Sequence, residues 1–217
     1  MTGKAFGAVL ALVPLALAAG PAAAATIADY AKSAINETFL AEPRRAGISI
    51  AFAGVTPPVD RIALSFSITP FMWVTNIPYR VSDVADADLV IVHLRSFSQP
   101  ASTDLDPRIA AVIQKNSAQL RQGGACTKIT ETRSGGARSN YVFLSLEDND
   151  DLRKSCLYGH VRALFGLRED GEAGAFGDTF LADLTIARCI SQMAAPPAAP
   201  AKAAIVQALA VGSCGGR

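Results

Sequence analysis

Few residues in this 217-residue chain could carry chemistry near neutral pH. Histidine is the side chain whose ordinary pKa lies closest to 7, and the chain has two, His93 and His160, so general acid-base work would fall to them first. Asp170 is a carboxylate shortly after His160 in the chain that could assist it. A hydrolase assembled from His160 with Asp170 or His93 is therefore the enzymatic reading, with these three as catalytic candidates. Structural use competes with it. His93 closes the apolar run ADLVIVHLR, where a hydrogen-bonded sheet histidine is preferred to a ligand, and His160 would be a buried, hydrogen-bonded histidine on a helix.

The remaining reactive residues are four cysteines, Cys126, Cys156, Cys189 and Cys214. In an oxidising compartment an even number reads as disulfides, and four allow three connectivities. Cys126 with Cys156 is favoured because one begins a strand and the other lies on a central helix; Cys189 with Cys214 would tie down the tail. There is no C-x-x-C redox pair, and cysteines this spread are not expected to hold a metal. The acidic run Glu147, Asp148, Asn149, Asp150, Asp151 lacks the alternating spacing and twelfth-position Glu of an EF-hand loop, so it reads as capping and solvated charge. Glycine loops for nucleotides and G-x-S-x-G elbows are also missing. No cofactor and no metal is expected.

The element that would position His160 is the stretch CLYGHVRALFGLREDGEAGAF, from Cys156 to Phe176. Leu157, Val161, Leu164 and Phe165 fall at i, i+4, i+7 and i+8, the spacing of an apolar helical stripe. Asp150 or Asp151 could accept the free N–H groups of the first turn, and Gly166 could end the helix in a left-handed conformation. The opposite side, Leu152, Cys156, Gly159, Ala163 and Gly166, is small or apolar, so a central helix covered on both sides is expected.

On these residues the chain resembles a bacterial family of exported proteins, domain of unknown function 2927. Its corresponding helix reads roughly C-x-x-E-E-x-x-Q-x-L-G-L-x-N-D, then S-I-F-x-D. Cys156, Gly166, Leu167, Asp170, Phe176 and Asp178 match, and Phe165 stands for the first Leu. That helix in turn resembles the zincin metallopeptidase motif H-E-x-x-H-x-x-G, in which two histidines one turn apart hold zinc and the Glu is general base. Counted back from Gly166, the two ligand slots hold Gly159 and Ala163 and the Glu slot holds His160. Neither glycine nor alanine has a ligand atom. The resemblance thus implies a zincin-like fold and export, while the residues present argue against a zinc peptidase.

The rest of the chain supplies the frame. Met1 to Ala25 carries Lys4, an apolar core broken by Pro14, and PAAAA, the three parts of a secretory signal peptide cut after Ala25. Removing Lys4 from the 20 basic residues leaves them equal to the 19 acidic ones, which argues against nucleic acid as a partner. No transmembrane segment is expected after cleavage. The sequence predicts a helix from Ile27 to Leu40, a strand from Ile48 to Phe52, a helix from Pro57 through Phe66, and β-rich segments at Phe71–Val74 and Tyr79–Val81. Phe71, Met72 and Trp73 are considered as a ligand groove, with core packing preferred. A buried strand over Ala87–Arg95, a helix over Pro107–Leu120, a hairpin of Lys128–Thr132 with Tyr141–Leu146, and a helix over Thr179–Gln192 follow. MAAPPAAPAKAA reads as a linker before a docked tail.

This order predicts an α/β or α+β fold: a mixed sheet with a central buried zincin-like helix over 151–166, in a single domain over 26–193, followed by linker and tail over 194–217. The function expected is a non-catalytic, periplasmic or secreted module that binds an envelope protein or peptide. The alternative is a periplasmic hydrolase with an atypical site around His160.

Overall fold

The computed structural model describes residues 21–40, 47–98, 105–123, 126–132, 138–169, 179–193 and 201–214. The protein is α/β, with helices and a mixed five-stranded sheet. The chain divides into two compact units. One holds the sheet, with β1 (Ile48–Ala53), β2 (Tyr79–Val81), β3 (Leu89–Leu94), β4 (Cys126–Thr132) and β5 (Arg138–Ser145). It also holds α3 (Pro58–Thr75) as far as Met72, α4 (Pro107–Lys115), α5 (Ser117–Gln122), and α6 (Asp150–Leu164) as far as Val161.

The strand order is β2-β1-β3-β5-β4. The pairs β1–β2, β1–β3 and β3–β5 are parallel and β4–β5 is antiparallel. Parallel neighbours need crossover helices, and α3 joins β1 to β2 in this way. All six residues of β3 are buried, as its unbroken apolar run predicts for a strand covered on both faces. Val90, Val92, Tyr141 and Phe143 form a core with Ile109, Val112 and Leu120 of α4 and α5. By strand alternation His93 points to the opposite face. Its chain turns past Gly54, whose φ of +76° and close approach leave no room for a side chain: a Cβ there would lie 2.4 Å from the His93 carbonyl oxygen.

Several elements differ from the sequence reading. Phe71–Val74 is helix, because α3 continues through Pro70 to Thr75. Leu64, Ile68, Phe71 and Thr75 are buried at helical spacing, and that burial outweighs the hydrogen bond lost at Pro70. Asn76, at φ 56°, ends it. Phe71 is fully buried while Trp73 is 61% exposed, so the two do not line one groove. The helix over 107–120 is interrupted at Asn116, whose Nδ2 donates to the Val112 carbonyl.

The small-residue side of α6 is only partly covered, with Gly166 buried at its end. Leu152 is 51% exposed, and Cys156, Gly159 and Ala163 are half-buried. The N-cap is Asn149, whose Oδ1 accepts from the Leu152 N–H at 2.8 Å; the carboxylates of Asp150 and Asp151 are drawn instead to Arg153 and Lys154.

The described residues of the other unit are mainly helical: α1 (Pro21–Ala34), α2 (Glu37–Leu40), Trp73–Asn76, the end of α6 from Arg162, α7 (Phe180–Met193) and α8 (Lys202–Ala210). The helix expected over 27–40 breaks at Asn36, whose Oδ1 accepts from the Thr38 and Phe39 N–H groups. Gly166 has φ +89°, the left-handed ending the sequence predicts. The tail is the helix α8. Residues 1–20 and the linker over 194–200 lie outside the described residues, and α1 runs across the expected cleavage position after Ala25.

Candidate functional site

In the sheet unit two clusters hold the histidine candidates. The first is buried around Asp60, in the opening turn of α3. Its Oδ2 lies 2.9 Å from His93 Nε2 and accepts from Arg153 Nε of α6 at 3.0 Å. Asp60 and His93 have no exposed side-chain surface. Arg153 also donates to the Asp148 carbonyl and to Asp150 Oδ1. Burial pushes the His93 pKa below its ordinary value; the hydrogen bond and charge of Asp60 act against this, and Arg153 acts with it. The imidazole is thus neutral at pH 7, with Nε2–H donating to a carboxylate already countered by a guanidinium. His93 Nδ1 and Asp60 Oδ1 make no hydrogen bond.

The second cluster surrounds His160. Cys126, the first residue of β4, and Cys156, on α6, form a disulfide with a Cα separation of 6.1 Å. His160 is 7% exposed, and its Nε2 lies 3.3 Å from Cys126 Sγ. A disulfide sulfur has no proton to give, so here Nε2–H is the donor. Cys156 and His160 are four residues apart and share a helix face.

The two histidine candidates therefore have different partners: Asp60 for His93, Cys126 for His160. Asp170 lies outside the described residues. Gly159 and Ala163, the positions that the zincin resemblance sets against the two zinc ligands, have no side-chain donor atom. The acidic run is taken up by the Asn149 cap and by pairs with Arg153 and Lys154.

The helical unit holds a third buried set. Arg162 and Asp183 are both 0% exposed. Arg162 Nε stands 2.9 Å from Asp183 Oδ2, near enough for an ion pair but out of line for a hydrogen bond. Tyr30 bridges them, donating to Asp183 Oδ1 at 2.9 Å and accepting from Arg162 Nη2 at 2.8 Å. Burial and the Asp183 charge push the Tyr30 pKa up to about 12. Cys189 and Cys214 form the second disulfide. An open groove of about 660 Å³ is lined by α1, Glu37 of α2 and α8, and its charged residues pair off, Lys202 with Glu37 and Lys32 with Asp29.

Asp60, Arg153, Tyr30, Arg162 and Asp183 were not singled out by sequence. Asp60 follows Pro58 as a first-turn acid, which reads as a dipole match, and Arg153 sits beside the acidic run. Their partners are 33 and 93 residues away, and nothing local announces such pairs.

These features define an α/β protein with a mixed sheet and two disulfides, and disulfides fit export to an oxidising compartment. Among the described residues no helix is long and apolar enough to cross a membrane. No family model, curated protein or solved structure matches the chain.

Proposed function

We propose that this chain is an exported, non-catalytic module of the cell envelope that binds a protein or peptide, built on a zincin-like scaffold. The observation that carries the reading is the state of α6. Its ligand slots hold Gly159 and Ala163, and three of its side chains serve the fold: Arg153 neutralises Asp60, Cys156 is bonded to Cys126, and Arg162 pairs with Asp183. A sheet that precedes the helix also fits the zincin-like layout. The half-buried side with Cys156 and Gly159, bordered by the exposed Leu152, is the surface proposed for the ligand. Retention of a fold without its chemistry is common, since function resides in sites and not in the fold.

The alternative is a hydrolase around His160, which stands one helical turn after Cys156 on α6. Incubation of the mature chain with a peptide mixture, with and without added zinc, distinguishes the two. No cleavage is expected, and a photo-crosslinking residue at Leu152 is expected to give an adduct with an envelope protein that excess unlabelled chain suppresses. Cleavage that His160→Ala abolishes, with thermal stability nearly unchanged, would establish the hydrolase instead.

A further inference from the structure

The three ligand atoms of Cys126, Cys156 and His160 lie within 4.8 Å of one another. Cys156 and His160 have the i, i+4 spacing that the zincin motif uses for its two histidines, one turn earlier on α6 than the empty slots. Cys126 adds a third donor from the sheet. His160 is buried and the two cysteines are half-buried, so the imidazole is fixed by packing while the cysteines keep some exposure to solvent. The geometry points to a redox-gated zinc site: when the Cys126–Cys156 bond is reduced, the two thiolates and His160 Nε2 bind one Zn²⁺, with a fourth position left for water. Two thiolates and an imidazole are a donor set that zinc accepts in tetrahedral geometry.

The chemistry balances with a dithiol as reductant. The dithiol gives two electrons and two protons; the Cys126–Cys156 bond breaks, and the reductant closes its own disulfide. Zn²⁺ then displaces the two thiol protons to solvent. His160 binds as a neutral imidazole, its proton carried on Nδ1. On one zinc the sulfurs stand roughly 3.8 Å apart, from Zn–S bonds of about 2.3 Å, so they must part by side-chain rotation. The Cα separation of 6.1 Å leaves room for that. The inference makes no use of Gly159 or Ala163 and stands whether or not the binding-module reading holds.

The test uses the whole chain, oxidised and reduced anaerobically with a phosphine, titrated with Zn²⁺ and with Co²⁺ as a spectroscopic probe. The reduced chain is expected to bind one Zn²⁺, release two protons, and give tetrahedral Co²⁺ bands with thiolate charge transfer; the oxidised chain is expected to bind none there. His160→Ala should weaken Zn²⁺ binding at least about tenfold, the low end of what loss of even a supporting residue costs a metal site. Because Cys189 and Cys214 are reduced as well, alkylation resolved by peptide mapping reads the site directly. Zn²⁺ should protect Cys126 and Cys156 and leave Cys189 and Cys214 reactive. The inference is overturned by a reduced chain that binds no Zn²⁺, by protection of Cys189 and Cys214 instead, or by unchanged affinity and charge-transfer bands in His160→Ala.

Discussion

Asp60 accepts two donors on one oxygen, a neutral imidazole and a guanidinium, with none of its surface exposed. Asp60→Ala takes the buried carboxylate away from both His93 and Arg153, although Arg153 keeps Asp150; breaking a buried pair from one side costs about 3–5 kcal/mol, and urea unfolding should show a loss near the lower end of this range. The depressed pKa of His93 sets a pH dependence. Above the unfolded value of about 6.5, the ring is neutral in both states, with a single N–H, and the contribution to stability is complete. As pH falls below that, the unfolded chain takes up a proton that the folded chain resists, so stability drops by up to about 1.4 kcal/mol per pH unit until the folded pKa is passed. His93→Gln should be less stable at pH 7 but lose less between pH 6.5 and about 5, compared by denaturant titration at each pH. A flat wild-type curve over that window would contradict the neutral, buried imidazole.

At the scale of elements, the two glycines of positive φ beside packed neighbours fix how segments meet. A Cβ at Gly166 would lie 2.9 Å from Phe39 Cδ1 of α2, and the left-handed conformation itself disfavours alanine. Gly166→Ala should cost about 1–3 kcal/mol, read as a lowered Tm. Gly54→Ala should cost more, because the obstacle is the backbone carbonyl of His93 and not a side chain that can swing away. In the helical unit, Asp183→Ala leaves Arg162 buried and unpaired, with a loss again about 3–5 kcal/mol, whereas Tyr30→Phe removes only the bridging hydroxyl and should cost about 1 kcal/mol. A smaller effect from Asp183→Ala than from Tyr30→Phe would mean that the ion pair does not organise these helices.

Over the whole molecule each unit carries one disulfide, Cys126–Cys156 spanning 30 residues and Cys189–Cys214 spanning 25. Loops of this size restrict the unfolded chain by about 3–4 kcal/mol each. The double substitution Cys189→Ser with Cys214→Ser should lower stability by an amount in that range in oxidised protein and change little once the wild type is reduced. Equal stability of oxidised wild type and double variant would show that the tail needs no covalent tie.

Local pattern alone determined a good part of this. The buried strand β3, the helix ending at Gly166 and the hairpin of β4 and β5 follow from apolar period and glycine placement; of the three connectivities that four cysteines allow, the sequence only favoured the one the structure has. That Gly159 and Ala163 share one side of α6 was legible for the same reason: a helix turn fixes their spacing whatever surrounds it. Tertiary structure decided the rest, because it depends on partners far apart in sequence. Burial of Leu64, Ile68 and Phe71 carries α3 through Pro70 into a stretch whose local propensity favours strand. Asp60 acquires His93 and Arg153, and His160 comes to rest against Cys126, only when the sheet brings their elements together.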